Sequence, residues 1–341
     1  MKFSMKFFSL CSLVCLLACS PQAPDVQTGM APEPPPPPLP SWNDGTTRQQ
    51  ILDFVAAVTD PSSPDFVPES ERIATFDNDG TLWSEQPMYV QVMFMVDRVR
   101  ALAPENPVWV EEQPFQAILE NDKEMLGTMG HKELGQLLAA THAGVTAAEF
   151  SATARNWLDD TRHPRYDQPY DNVIYQPMLE VLDYLRTNGF KTFIVSGGGI
   201  EFIRVFSETA YQIPPDQVVG SSIETEFITN GDNSYLMRLP ELHFNDDKAG
   251  KPVAINRYIG HRPIAAFGNS DGDLQMLQYA AGGEGARLMV LVHHDDAERE
   301  YAYDRDSKIG RLDKALVEAG TRGWTVVSMQ NDWNAIFPWD K

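Results

Sequence analysis

The apolar positions of the chain follow two patterns. Short continuous runs are typical of strands covered on both faces, whereas apolar residues three and four positions apart are typical of helices. From about residue 176 onward the two patterns alternate, which predicts an α/β fold with a doubly wound, mostly parallel sheet. The predicted strands are 73–76, 191–195, 263–267, 288–292 and 324–328; the predicted helices are 178–185, 274–281 and 312–319, with others starting near 200 and 251; and a hairpin is predicted at 230–233.

Residues 87–170 interrupt this alternation. They carry few strand signals and show helical spacing, for example at Val92, Val96 and Val99. We expect an α-helical insert here, called the cap insert below, between two core segments at 46–86 and 171–341. Methionine and aromatic side chains at helical spacing are typical of core positions, and lining a substrate is the alternative for them.

The N-terminal 45 residues predict a targeting signal followed by a linker. Residues 1–18 carry two lysines and then an apolar run too short for a transmembrane helix, which indicates an export signal. The Leu-Leu-Ala-Cys sequence ending at Cys19 resembles the lipobox of bacterial lipoproteins, and an ordinary cleaved signal is the alternative. Residues 19–45 are proline-rich and predict an extended linker. We expect a periplasmic protein whose membrane contact is a lipid at Cys19, and Ser20 favours the outer membrane by resemblance to bacterial sorting patterns.

Composition excludes several classes of function. All three cysteines lie within the first 19 residues, so the remaining chain has no disulfide, thiolate nucleophile or cysteine-bound zinc. The formal net charge of −21 argues against nucleic acid as a partner. It also means that an anionic substrate needs a locally positive site.

Polar, glycine-containing loops follow three of the predicted strands. They are residues 77–81 (Asp-Asn-Asp-Gly-Thr), 196–199 (Ser-Gly-Gly-Gly) and 268–273 (Gly-Asn-Ser-Asp-Gly-Asp). Because neighbouring parallel strands place such loops side by side, we expect one shared site. The acidic loops do not match the glycine and glutamate positions of an EF-hand. The second loop lacks the dinucleotide fingerprint and a P-loop lysine, so it predicts either a small anion site or a tight turn.

Two aspartates and a lysine carry the candidate chemistry. Asp77 and Asp79 are two positions apart and repel each other unless a cation or a proton lies between them. A lysine beside the acidic loops would neutralise a phosphate or a carboxylate. Lys251 is favoured because Pro252 beside it suits a first helical turn, and Lys248 is the competing candidate.

Taken in order, these motifs resemble those of the haloacid dehalogenase superfamily of phosphohydrolases. Residues 77–81 match its first motif, Ser196 and Gly197 its second, Lys251 or Lys248 its third, and residues 268–273 its acidic fourth. The cap insert takes the place of the first-type helical cap found in phosphoserine phosphatase-like members. The fourth motif usually begins Gly-Asp, and this chain departs from it with Asn269.

The resemblance implies a Mg²⁺-dependent phosphomonoesterase acting on a small phosphorylated metabolite. It implies that Asp77 is the nucleophile and that Asp79 is the general acid and base. The alternatives are transfer of phosphate to an alcohol acceptor and a non-catalytic envelope-binding lipoprotein of the same fold. The residues implied to bind phosphate are Thr81, Ser196, Gly197 and Lys251, with Lys248 as competitor, and those implied to bind the metal are Asp77, Asp79, Asn269 and Asp273, with Asp271 as a further candidate.

Overall fold

The computed structural model describes residues 37–122, 125 and 129–340. The predicted export signal, Cys19 and the linker up to residue 36 lie outside the described residues. Among the described residues, no helix is both long and apolar enough to cross a membrane.

The folded domain begins before residue 46, where the sequence predicts the linker to end. Leu39 and Trp42, which follow the proline run, are both buried. The Trp42 ring packs edge-on against Trp333 near the C-terminus, and its Nε1 donates to the carbonyl of Pro177 at 3.0 Å. The last residues of the predicted linker are thus part of the core.

A central sheet positions the rest of the chain. Its strands are β1 (Ile73–Phe76), β2 (Lys191–Gly199), β3 (Val218–Asn230), β4 (Asn233–Phe244), β5 (Ala265–Gly268), β6 (Leu288–Asp295), β7 (Ala302–Tyr303) and β8 (Thr325–Ser328). Across the sheet the order is β4-β3-β2-β1-β5-β6-β7, and β8 also pairs with β6. Only the β3–β4 and β6–β7 pairs among these described strands are antiparallel. The predicted mostly parallel sheet is confirmed.

Helices flank this sheet on both faces. The helices of the described chain, including four in the cap insert, are α1 (Thr46–Thr59), α2 (Val90–Leu102), α3 (Phe115–Leu119), α4 (His131–His142), α5 (Ala147–Asp160), α6 (Gln176–Thr187), α7 (Ile200–Arg204), α8 (Ser207–Tyr211), α9 (Gly250–Ala254), α10 (Leu274–Ala281), α11 (Lys314–Arg322) and α12 (Met329–Asp332). Because side chains alternate along a strand, Phe267 of β5 faces a core with α1 and α6, while Ala266 faces a core with α10 and α11. The arrangement is doubly wound, as predicted.

The cap insert contains helices α2 to α5 and an apolar cluster of its own, which includes Met95, Val99 and Leu137. The β3–β4 hairpin also packs against it. The Arg238 N–H of this hairpin donates to the carbonyl of Val145 at 3.0 Å. Two separate segments of the chain, the cap insert and the β3–β4 hairpin, therefore cover the sheet edge that carries the predicted loops. The sequence predicts only the cap insert as a cover.

Two polar segments that the sequence predicts as loops are parts of strands. β2 continues through residues 196–199 with an irregular register, and the helical segment after it is divided into α7 and α8. β6 continues through His294, which is buried. In both places pairing with a neighbouring strand overrides the local polar composition.

Candidate active site

The ends of three neighbouring strands meet at one place, as the sequence predicts. β2, β1 and β5 lie side by side, and the Asp77 N–H donates to the carbonyl of Phe267 at 2.9 Å. Gly80 has a φ of 73°, and a Cβ there would collide with the Asn269 side chain. Glycine is therefore required for the first and third loops to pack together.

Lys251 is the lysine that reaches this site. Its buried Nζ lies 2.7 Å from Asp77 Oδ1, from Asp273 Oδ1 and from the carbonyl oxygen of Val195. The contacts with Asp77 and Val195 are hydrogen bonds, and the contact with Asp273 is an ion pair. Lys248 is exposed and pairs with Asp247 at 2.9 Å, so the structure does not bring this competing candidate to the site.

The environments of Asp77 and Asp79 are different. Burial raises the pKa of Asp77 well above its usual value, Asp273 raises it further, and Lys251 opposes both effects. Burial also raises the pKa of Asp79, while the indole of Trp83 lowers it by donating to Oδ1 at 2.7 Å. The other oxygen of Asp79 faces Gly198. One carboxyl oxygen of Asp79 is thus fixed by a hydrogen bond to Trp83, and the other oxygen faces residues 196–199.

The chemistry of the donor set fits a hard divalent cation. Three carboxyl groups, those of Asp77, Asp79 and Asp273, lie near the single ammonium group of Lys251. When all of these groups are ionised, negative charge is in excess. Within the described ranges, no group of three or more acidic, histidine or cysteine side chains is arranged so that these side chains alone could hold a metal ion. Mg²⁺ characteristically takes one or two protein carboxylates and completes its shell with water and phosphate, which agrees with an open oxygen site.

The fourth-motif residues have separate positions. Asp273 Oδ2 accepts the N–H of Asn269 at 2.9 Å and that of Ser270 at 3.0 Å, which closes the loop. Asn269 uses its amide within the protein, because Oδ1 accepts from Thr81 at 3.1 Å and Nδ2 donates to Glu85 at 2.7 Å. One lone pair of Asn269 Oδ1 remains for a cation.

Asp271 is turned away from the site, contrary to its candidacy as a metal ligand. Its Oδ1 accepts the N–H groups of Asp313 at 3.0 Å and Ala315 at 2.9 Å. These N–H groups belong to the start of α11 and have no partner within that helix. The carboxylate caps a helix instead of facing a metal.

The predicted phosphate-binding residues are divided between the cavity and the layer behind it. Gly197 and Lys251 line the cavity, together with Asp77, Asp79 and Asp273. Thr81 and Ser196 are buried and do not line it. Thr81 bonds to Asn269, and Ser196 Oγ accepts the N–H of Gly198 at 3.1 Å. Both hydroxyls therefore hold the loops in this structure.

Glu85 is a site residue to which sequence reasoning assigns no role. It is buried, lines the cavity and accepts from the hydroxyl of Tyr303 at 2.8 Å as well as from Asn269. Burial raises its pKa well above the usual value. The position of Glu85 shortly after the first loop is visible in the sequence, but its contact with Tyr303 joins residues 218 positions apart.

A second buried group supports the first loop from behind. His294 Nε2 donates to the carbonyl of Gly80 at 2.8 Å, and its Nδ1 lies 3.2 Å from Glu300. Glu300 also accepts from Ser84 at 2.7 Å and from Tyr175 at 3.2 Å. The predicted strand ends at residue 292; β6 instead continues to Asp295, and His294 is buried behind the first loop.

Next to Asp77, Asp79, Lys251 and Asp273, which form its floor, lies a cavity of about 470 Å³ that is also lined by the cap insert and the β3–β4 hairpin. Gln91 of α2 spans the two sides: its Oε1 accepts the N–H of Gly199 at 2.7 Å and its Nε2 donates to His142 at 3.0 Å. The cap is thus joined directly to the second loop of the floor.

Comparison with solved structures finds several similar chains. A conserved protein described as functionally unknown, from Anaerococcus prevotii DSM 20548, is 15% identical, with 73% of this chain and 85% of that chain covered and a TM-score of 0.48. A protein with unknown function from Bordetella pertussis Tohama I is 16% identical, with coverage of 75% and 98% and a TM-score of 0.47. A phosphoserine phosphohydrolase-like protein from Francisella tularensis subsp. tularensis SCHU S4 is 18% identical, with coverage of 74% and 99% and a TM-score of 0.38.

Comparison with curated proteins gives no match. The family model for haloacid dehalogenase-like hydrolases matches residues 74–278. This range starts in β1, ends in α10 and contains all of the loops described above. Since the match spans more than half of the 341 residues, the chain belongs to the haloacid dehalogenase-like hydrolases.

Proposed function

We propose that the protein is a Mg²⁺-dependent phosphomonoesterase that hydrolyses a small phosphate ester through an aspartyl phosphate on Asp77. The observation that carries this proposal is the position of Lys251, 2.7 Å from both Asp77 and Asp273 at the floor of a cavity. A carboxylate nucleophile must be ionised, and the phosphoryl oxygens it attacks must be neutralised. A buried ammonium group beside the carboxylate serves both needs.

In the first half of the reaction, an oxygen of Asp77 forms a bond to phosphorus while the bond from phosphorus to the ester oxygen breaks. Asp79 donates its proton to that ester oxygen, which leaves as an alcohol. The raised pKa of Asp79 supports its role as a proton donor. Its hydrogen bond with Trp83 fixes the carboxyl group and leaves the other oxygen available.

In the second half, the ionised Asp79 takes a proton from water, and the water oxygen attacks phosphorus. The bond between phosphorus and Asp77 breaks, which releases inorganic phosphate and restores both carboxyl groups. One residue thus acts as acid and then as base, as microscopic reversibility allows for a two-step displacement.

Lys251 and the main-chain N–H of Gly197 would bind the phosphoryl oxygens, and Thr81 and Ser196 would hold the loops that present them. Asp77, the main-chain carbonyl of Asp79 and the Asn269–Asp273 loop would hold Mg²⁺. When bound, the ion offsets the repulsion between an anionic nucleophile and an anionic phosphate.

The test is release of inorganic phosphate from an aryl phosphate by the purified protein, with and without Mg²⁺. We expect release that a chelator abolishes and that Asp77→Asn lowers by at least about 10³-fold, the scale of losing a covalent nucleophile. A circular dichroism spectrum checks that the variant is folded. Unchanged turnover in folded Asp77→Asn would contradict the mechanism.

The same assay separates the two alternatives. If glycerol phosphate forms when glycerol is present, the protein is a phosphotransferase to alcohol acceptors. If a broad panel of phosphate esters gives no release with any divalent cation, a non-catalytic binding role replaces the enzyme.

We further propose that the chain is exported and held at the outer membrane by a lipid on Cys19. The sequence around Cys19 supports this proposal. Labelling of expressing cells with a radioactive fatty acid should mark the wild type and not Cys19→Ser, and membrane fractionation should place the label in the outer membrane. An unlabelled wild type would indicate an ordinary cleaved signal.

A further inference from the structure

The cavity above Asp77 and Asp79 is larger than a phosphate group requires. Its volume of about 470 Å³ lies within the range of small-molecule sites, which is about 300–1,000 Å³. The phosphoryl group would occupy the floor beside Lys251. The remaining space faces the cap insert and must take the organic group of the ester.

Apolar side chains from several elements form the walls of that space. They converge from α2, α4, α5 and α7, so the apolar character is not a property of one helix. The wall residues are Val92, Met95, Leu134, Leu138, Phe150 and Phe202. The sequence leaves open whether such side chains of the cap are core or substrate lining; these six do line the cavity.

Gln91 and His142 on the cap side already have hydrogen-bond partners within the protein. Gln91 uses both ends of its amide, on Gly199 and on His142. The second nitrogen of His142 lies 2.8 Å from the Thr141 hydroxyl. Burial lowers the pKa of His142 to about 3, so the imidazole is neutral. This pair brings no charge to the organic group.

Two charged side chains of the cap side, Arg238 and Glu201, form an ion pair. Arg238 is buried, its Nε donates to the carbonyl of His142 at 2.8 Å, and its Nη1 lies 3.3 Å from Glu201. Its guanidinium group lies over the ring of Phe150, 4.0 Å from the ring centre. The Glu201 carboxylate offsets the charge of Arg238, so a charged substrate group meets an ion pair that is already formed. Within the described residues, Nη1 of Arg238 has no hydrogen-bond partner, and it is a donor left for a neutral oxygen atom of the substrate.

We propose that the substrate is a phosphate monoester whose organic group is uncharged and mainly apolar, about the size of an aromatic ring or a six-carbon chain. This inference rests on the proposed phosphatase function. The organic group lies against the wall formed by Val92, Met95 and Leu138. Esters of amino acids or hydroxy acids are poor substrates, because their charged groups lose water and meet an arginine whose charge Glu201 already offsets.

The experiment compares ethyl, butyl, hexyl and benzyl phosphate with two charged esters, O-phosphoserine and 6-phosphohexanoate. Each added methylene group should raise kcat/KM by about fourfold until the cavity is full. The kcat/KM for hexyl phosphate should exceed that for 6-phosphohexanoate, which has a carboxylate at the end of the same chain, by at least about 100-fold. Equal kcat/KM values across the series, or a preference for the charged esters, would overturn the inference while leaving the phosphatase proposal intact.

A matched pair of variants locates the effect. Val92→Thr places a hydroxyl in the cavity wall at nearly constant shape, and Val108→Thr makes the same change on the exposed surface of the cap insert. Val92→Thr should lower the ratio of hexyl to ethyl phosphate kcat/KM at least about threefold, and Val108→Thr should leave the ratio unchanged. An equal ratio in both variants would overturn the assignment of the wall.

Calorimetry with hexylphosphonate and ethylphosphonate, which resist hydrolysis, separates the two proposals. Tighter binding of hexylphosphonate together with a more negative heat-capacity change supports the apolar site even if no ester is hydrolysed. In that case only the phosphatase proposal fails. Equal binding of both phosphonates would overturn the apolar site.

Discussion

The Nζ atom of Lys251 lies 2.7 Å from an oxygen of Asp77, which joins two residues that are 174 positions apart in the chain. Burial alone would lower the pKa of Lys251, but Asp273 and Asp77 reverse that effect and raise it. The ammonium group therefore stays charged throughout the neutral range. It supplies a fixed positive charge beside Asp77, where the proposed mechanism requires the phosphoryl group to bind.

Replacing Lys251 by methionine should lower kcat/KM for an aryl phosphate by about 10²–10³-fold, as removal of one charge-stabilising donor does elsewhere. Lys248→Met is the matched control, because Lys248 is exposed and pairs with Asp247. Steady-state kinetics of the two variants, with thermal melts to verify folding, make the comparison. Equal losses in both variants would remove Lys251 from the proposed site.

Two aspartates of one loop should give opposite results. Asp273→Ala removes a carboxylate from the cavity floor and should reduce turnover by at least about 10²-fold while raising the Mg²⁺ concentration needed for half-maximal activity. Asp271→Ala removes a helix cap and should lower the free energy of unfolding by about 1 kcal/mol with little effect on kcat. Titration with Mg²⁺ and urea unfolding provide the two measurements. A weakened Mg²⁺ response in Asp271→Ala would return that residue to the list of metal ligands.

The sequence predicts the parts of this site that depend on local patterns. The strand before Asp77, the glycine at position 80 and the acidic loop after β5 are recognisable because apolar runs and glycine positions are set by neighbouring residues. Their convergence follows from parallel pairing, so the floor of the cavity is predictable.

The contacts behind and above the floor are not predictable in this way. Asp271 faces α11 because unpaired N–H groups at the start of that helix lie within reach, and nothing in its own loop indicates this. His294 is buried because β6 extends to pair with its neighbours. Leu39 and Trp42 join the core through contacts near the other end of the chain. In each case residues far apart in sequence decide the outcome.

Glu300 should be important for stability although it does not line the cavity. It is fully buried and faces donors from Ser84, Tyr175 and His294. Glu300→Leu would leave these groups without an acceptor and should lower the free energy of unfolding by about 3–5 kcal/mol, as measured by urea denaturation. The exposed Glu298, changed to leucine in the same way, should shift it by less than about 0.5 kcal/mol. A small effect at Glu300 would indicate that water replaces its side chain.

His142 should make the folded state sensitive to acid. Burial lowers its pKa to about 3, against an ordinary value of 6.5, so the folded protein resists protonation that the unfolded chain accepts. The stability that neutral His142 contributes is complete above pH 6.5 and declines as the pH falls toward 3. At pH 5 the decline should be about 2 kcal/mol. In His142→Gln, the free energy of unfolding measured with urea should therefore fall by about 2 kcal/mol less between pH 7 and 5 than it does in the wild type. Parallel pH curves for the two proteins would show that His142 is not the cause.

Asp246 should act in the opposite direction. It is fully buried, and within the described chain neither of its side-chain oxygens has a hydrogen-bond partner. Burial raises its pKa to about 7, against an ordinary value of 3.8, while Lys251 opposes the rise. The folded state therefore holds a proton that the unfolded chain releases, so Asp246 costs stability progressively as the pH rises from about 4 to 7.

In Asp246→Asn the side chain is an amide that does not titrate. The free energy of unfolding of the variant, taken relative to the wild type, should therefore rise with pH by up to about 1.4 kcal/mol per unit between pH 4 and 7 and then become constant. Urea unfolding of both proteins at pH 4.5, 5.5, 6.5 and 7.5 measures this difference directly. Because each comparison is made at one pH, titration of the groups that do not interact with Asp246 cancels. A difference that stays flat across this range would mean that the Asp246 carboxylate remains ionised in the folded protein, held by the charge of Lys251.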